Sequence, residues 1–164
     1  MPETNQPVHT PSGIAAYISV MRPDHWLKNI FILFGHAAAI VLLGLTLSWE
    51  MVGLIAFSLV PACLVASANY IMNEILDAPF DRMHPTKKLR SVASGEAKAS
   101  ILWIIFGALL IIAWALSAFV FNISYQISLL LLFLSGIVYN VQPVRLKDRA
   151  FLAVFAESVN TPIR

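Results

Sequence analysis

At 164 residues, 59% hydrophobic and only 12% charged, with a mean hydropathy of +0.76, the chain departs from soluble domains, which carry about 25% charge. That composition excludes a secreted disulfide scaffold, a nucleic-acid module and an ordinary soluble enzyme, and the lone Cys63 can form no intrachain disulfide. The net charge of +2 says little as a total; where the charges fall says more.

In chain order, residues 1–12 hold three prolines among polar residues and are expected to form a disordered cytoplasmic tail. Residues 13–164 are expected to form one membrane domain, with four transmembrane helices and the start of a fifth. The four apolar runs are Ile30–Leu47, Met51–Met72, Ala99–Phe121 and Ile123–Val141, each near or above the roughly 18 to 20 residues that cross a ~30 Å hydrocarbon layer. The fifth helix begins near Phe151. The fold class predicted is all-α, a polytopic transmembrane bundle.

Arg22 and Lys28 precede the first run, Arg82, Lys87, Lys88, Arg90 and Lys98 lie between the second and third, and Arg145, Lys147 and Arg149 follow the fourth. The other two connections, around Thr46–Glu50 and Asn122, hold no Lys or Arg. By the positive-inside rule the N-terminus and the 73–98 and 142–149 segments are expected to face the cytoplasm of a cell inner membrane. Met1–Tyr17 is polar, so no cleavable signal peptide is expected. Trp26 and Trp49 read as interfacial belt residues.

The second run ends in the small residues Ala62, Ala66, Ser67 and Ala68, suited to close helix approach, and then continues into polar residues without a turn signal. Asn73, Asp77 and Asp81 recur every fourth position, so on a helix they follow one another at about 6 Å along one face, with Glu74 beside them. Pro79 predicts a kink or an end near Asp77, and Ser94 a cap for a short helix. Carboxylates at a membrane bundle mouth are costly unless paired, hydrated or bound to a cation. An amide with spaced carboxylates suits Mg²⁺, which is typically held by one or two carboxylates plus substrate phosphates. Arg82, His84, Lys87, Lys88 and Arg90 follow at once, an anion-binding complement to such a metal. Taken alone, the same loop would serve topology and lipid headgroups equally well. A second polar half-site gathers Tyr139, Asn140, Arg145, Lys147 and Asp148, with Glu157 further on.

The run Asn73-Glu74-x-x-Asp77-x-x-x-Asp81-x-x-x-Pro85, with Lys88, Arg90 and Gly95, resembles the first aspartate-rich motif of the UbiA superfamily of intramembrane prenyltransferases. Arg22-Pro23-x-x-Trp26-x-Lys28-Asn29 and His84-Pro85-Thr86-Lys87-Lys88 resemble more narrowly its branch that makes decaprenylphosphoryl-phosphoribose. The resemblance covers residues 14–164 and implies the N-terminal half of a bundle of about nine spans, so a missing C-terminal half or self-association is expected to complete it. It implies catalytic roles for Asn73, Asp77 and Asp81, Mg²⁺ ligands drawn from Asn73, Glu74, Asp77, Asp81 and Glu157, and phosphate binding by Lys28, Lys87, Lys88, Arg90, Tyr139 and Lys147. Glu74 stands where the family usually has Asp, and Ala153 where the second motif usually has an acid paired with Glu157. The expected function is Mg²⁺-dependent prenyl transfer with a polyisoprenoid and a diphosphate donor, and no nucleic-acid partner. The alternatives are phosphoribosyl transfer from phosphoribosyl pyrophosphate to a polyprenyl phosphate, or an inactive membrane fragment or helical partner protein.

Overall fold

The computed structural model describes residues 11–148; residues 1–10 of the tail expected over 1–12, the start of a fifth helix and Glu157 lie outside the described residues. Four helical stretches are long and apolar enough to cross a membrane: Ile14–Leu42, Trp49–Asp81, Ala99–Val120 and Ile123–Asn140. No strand occurs among the described residues, and the all-α polytopic bundle read from the sequence is the architecture found.

The first stretch has three parts, α1 (Ile14–Met21), a 3-10 helix over Pro23–Ile30 and α2 (Phe31–Leu42). The break after α1 falls at Arg22, which takes a left-handed φ of 49°, immediately before Pro23, which has no amide proton to continue the ladder. Ala16 and Val20, four apart on one face of α1, are completely buried in a cluster with Ile71, Ala78, Val92 and Leu102. The apolar run to Leu47 does not stay helical. Gly44 adopts φ 61°, its amide donates to the Val41 carbonyl at 3.3 Å, and the Leu45 amide donates to the Ile40 carbonyl at 3.0 Å, the Schellman pattern that closes a helix end.

α3 (Trp49–Asp81) is the central rod, with Ser48 accepting from the Met51 amide at its start. Its 33 residues extend about 50 Å, well beyond a ~30 Å hydrocarbon layer, so its polar last turns project from the apolar zone. The helix does not end near Asp77, one of the two outcomes expected from Pro79, but runs on to Asp81. Pro79 lacks the amide that would donate to the Ile75 carbonyl, only two helical residues follow it, and the Arg82 amide still reaches the Ala78 carbonyl at 3.1 Å. Asn73, Asp77 and Asp81 are therefore carried on one continuous helix.

α5 (Ala99–Val120) and α6 (Ile123–Asn140) flank α3, joined by a turn in which Asn122 caps α6 by accepting from the Tyr125 amide at 3.2 Å. Consecutive in sequence, these two helices touch each other less than each touches α3. The small-residue patch does what its sizes suggest: Ala62, Ala66, Ser67 and Ala68 are all buried. α3 and α6 meet tightly at Gly136. A Cβ built on Gly136 would overlap the Asn69 side chain, which donates to the Leu132 carbonyl at 3.1 Å. Gly136→Val is therefore expected to displace the Asn69 side chain from the Leu132 carbonyl and lower stability by about 1–3 kcal/mol, read as a fall in thermal unfolding midpoint in detergent, with Gly107→Val, where nothing lies within 4 Å of the added Cβ, as the reference.

Between α3 and α5 a short helix, α4 (Ser91–Ser94), packs back on the bundle. Ser94 ends this helix; it does not start it. Gly95, at φ 89°, supplies the left-handed residue that terminates it.

Candidate functional site

The N-terminal segment, the 82–98 connection and the 141–148 segment gather at one end of the bundle, around the last turns of α3. The opposite end holds the connections that lack basic residues. Three hydrogen bonds pin that first end together: the Ser19 and Ser91 hydroxyls at 2.8 Å, the Lys98 amide donating to the Tyr17 hydroxyl at 3.2 Å, and the Arg90 guanidinium donating to Asp81 at 2.7 Å.

The centre of the cluster is a single ammonium. Lys147 Nζ donates to Asp77 Oδ1 at 2.6 Å, to Asn73 Oδ1 at 2.9 Å and to Asn140 Oδ1 at 3.1 Å. Arg145 donates to the same Asp77 oxygen at 3.0 Å, while its guanidinium stands 4.7 Å over the Phe80 ring. The side chains of Arg145 and Lys147 are each 12% exposed and that of Asp77 17%, so these charges meet largely out of water. Arg145 reaches this position from a backbone φ of 27°, a sparsely populated conformation for a non-glycine residue. Asn140 is fixed by its own amide, which donates to the Gly136 carbonyl at 2.9 Å.

The three residues spaced by four do not all meet. Each step of four advances about 40° around the helix, so Asp81 is turned some 80° from Asn73. Asn73 and Asp77 face the 141–148 segment, whereas Asp81, 4% exposed, faces the other connection and pairs with Arg90. Glu74 turns a third way: its carboxylate accepts from the Val92 amide at 3.2 Å, in the first turn of α4. Among the described residues no three His, Cys, Asp or Glu side chains are grouped closely enough to hold a metal by themselves. What the structure does show is a cation-shaped oxygen set, one carboxylate and two amide oxygens converging on one positive charge. That donor set fits a hard cation that takes its remaining ligands from water and phosphate.

Lys87 and Lys88 are exposed on the 3-10 turn Lys87–Leu89. Lys28 belongs to the Pro23–Ile30 segment, with its side chain outside the described set. Tyr139 is half-buried next to Asn140.

Arg145 and Asn140 are more central than the sequence suggested. Their signal was position alone, a polar and a basic residue just past an apolar run. Also unforeseen is a polar seam between the N-terminal segment and α3. Asn29 donates to the Cys63 sulfur at 3.1 Å, Trp26 donates to the Ser67 hydroxyl at 2.9 Å, and His25 lies 3.0 Å from the Tyr70 hydroxyl. Trp26 thus has a specific partner in addition to any place in an interfacial belt.

Three kinds of similarity accompany this geometry. The family model of the UbiA prenyltransferase family matches residues 27–160. The decaprenyl-phosphate phosphoribosyltransferase of Mycolicibacterium smegmatis is 31% identical over 127 residues, covering 72% of this chain and 39% of that protein, and its namesake in Corynebacterium glutamicum is 31% identical over 118 residues, covering 70% and 34%. The nodulation protein NoeC of Azorhizobium caulinodans is 34% identical over 83 residues, covering 48% and 24%. The chain thus spans well under half the length of these relatives.

Proposed function

The chain belongs to the UbiA prenyltransferase family, a family of transferases, and is an integral membrane protein; from that premise we propose that it carries the diphosphate-handling half-site of an enzyme that moves phosphoribosyl from phosphoribosyl pyrophosphate to a polyprenyl phosphate. The observation that carries the reading is the convergence of Asn73, Asp77 and Asn140 oxygens with Lys147 and Arg145 at one end of an apolar bundle. Carboxylate and amide oxygens on one side and guanidinium and ammonium donors on the other are the two halves of a metal–diphosphate site. The exposed apolar side chains of α5 and α6, such as Ile104 and Val138, offer a surface along which a polyisoprenoid tail would lie in lipid.

In this reading Asp77 and Asn73 hold Mg²⁺, which would neutralise the diphosphate and favour its departure. Asp81 is proposed as a further ligand, and Arg90, Lys88, Lys87, Lys28 and Tyr139 as phosphate-binding residues, as the family resemblance implies. Glu74 supports the site by holding α4 and the loop it ends. Glu157 is proposed as a ligand from the second half-site. A phosphate oxygen of the polyprenyl phosphate attacks C1 of the ribose; the C1–O bond to diphosphate breaks, and the diphosphate leaves with the bonding electrons. The site faces the cytoplasm of the cell inner membrane in this proposal, in keeping with the gathering of basic segments at its end.

The family name favours a second reaction, in which a prenyl diphosphate ionises and its prenyl group passes to another acceptor. The two readings separate by label. Membranes containing the full-length protein, given ribose-labelled phosphoribosyl pyrophosphate and a polyprenyl phosphate, are expected to yield Mg²⁺-dependent label in the organic-extractable lipid. Absence of that label, with label from a prenyl diphosphate moving to an acceptor, would replace the first reading with the second; no transfer in either assay rejects both.

A further inference from the structure

The Lys147 ammonium has three protons, and three oxygens from two different helices receive them, at 2.6, 2.9 and 3.1 Å. Two of those oxygens, from Asp77 and Asn73, are the ones assigned above to a divalent cation. We infer that Lys147 is a built-in occupant of the cation position, which a divalent metal must displace and which the anionic part of the substrate draws away, so that metal and diphosphate enter this site together. The inference rests on the metal–diphosphate reading and extends it to the state without substrate.

The exclusion is geometric. Mg²⁺ binds its oxygens at about 2.0–2.1 Å, and an ammonium nitrogen within 3 Å of the same two oxygens leaves no room for it. The arrangement also answers an electrostatic need. Asp77 lies in the last turns of α3, where the helix dipole disfavours a negative charge, and it is only 17% exposed. A cation must be there whether or not substrate is, and Lys147 and Arg145 provide it. Lys147 follows a short non-helical connection after α6, in a three-residue 3-10 turn, so its side chain can leave without any transmembrane helix moving. Once displaced it needs an anion, and the diphosphate brought by the metal is one. Metal alone therefore meets a carboxylate already paired with two cations and binds weakly. By linkage, whatever removes the ammonium raises metal affinity.

The test is Mn²⁺ binding, followed by the electron paramagnetic resonance signal of free Mn²⁺, with full-length protein in nanodiscs and no substrate. Lys147→Met is expected to bind Mn²⁺ about tenfold more tightly than the parent, and Lys98→Met, which removes an exposed lysine at the same end of the bundle, to leave affinity unchanged. Lys147→Gln, neutral but still able to hydrogen-bond Asp77, carries the same expectation should the methionine variant fail to fold. Unchanged or weaker Mn²⁺ binding in folded Lys147 variants, with binding lost in Asp77→Asn, would overturn the inference and leave the metal site standing. No Mn²⁺ binding by parent or variants would remove both.

Discussion

Asp77→Asn is expected to lower Mg²⁺-dependent binding of a diphosphate substrate by a hundredfold or more, while the helical circular dichroism of the protein in detergent stays as in the parent. The substitution is nearly isosteric and keeps an oxygen, so the lost quantity is charge. In the structure Asp77 Oδ1 is shared by Lys147 and Arg145, at 2.6 and 3.0 Å, so both cations converge on this carboxylate oxygen. Changes to groups that merely orient a metal ligand commonly cost 10–100-fold in metal affinity, so neutralising the ligand itself is set at or above about 100-fold. With the negative charge gone, two cations that are each 12% exposed face an amide, and the net charge of these three groups rises from +1 to +2. Diphosphate without metal should then bind at least as well as before, which separates a lost metal ligand from a collapsed pocket. Isothermal titration with and without Mg²⁺ reads both quantities; equal Mg²⁺ dependence in parent and variant would take Asp77 out of the site.

The parts of this protein that were legible in its sequence are those set by a local rule. The span from Ala99 and the one from Ile123 follow from apolar length, and their tight antiparallel turn from the Asn122 cap. The end of α2 was equally local. Gly44 announces it, but an apolar composition that runs on through Leu45 and Leu47 masks a backbone event. Pro79 misled in the other direction, because the cost of a proline depends on how much helix follows it, and here only two residues do. The spacing of Asn73, Asp77 and Asp81 correctly put three polar residues on one helix. It could not assign partners, since the 80° of accumulated rotation sends Asp81 to one connecting segment and Asp77 to another. Which connection lies on which side is decided by tertiary packing, as are the partners of Glu74 and Trp26. A carboxylate held by the Val92 amide and an indole held by Ser67 look, in sequence, like any other charge or belt residue.

The second large effect concerns the connection that Asp81 holds. Arg90→Ala is expected to lower unfolding free energy by about 2 kcal/mol, below the ~3–5 kcal/mol typical of breaking a fully buried ion pair, because Arg90 is 28% exposed and water can reach what it leaves. Asp81 is costly to strand. Its side chain is 6% exposed, and as the last residue of α3 it lies at the negative end of a 33-residue helix, where its charge is opposed by unpaired carbonyls. Arg90 offsets both burial and dipole through a 2.7 Å charge-assisted bond that also closes the loop from residue 82 to 89. Asp81→Asn/Arg90→Ala should recover much of the loss, since the neutral amide no longer needs a cation, and the single Asp81→Asn should cost less than Arg90→Ala. Hydrogen exchange gives the local readout. In Arg90→Ala the amides of Val92 and Ser94, which donate to Glu74 and to the Arg90 carbonyl, are expected to exchange faster, while those in the middle of α5 hold their rates. Unaltered exchange at those two amides would mean that Glu74 and the buried face of α4 secure the connection without Arg90, leaving the guanidinium free to serve phosphate at no structural cost.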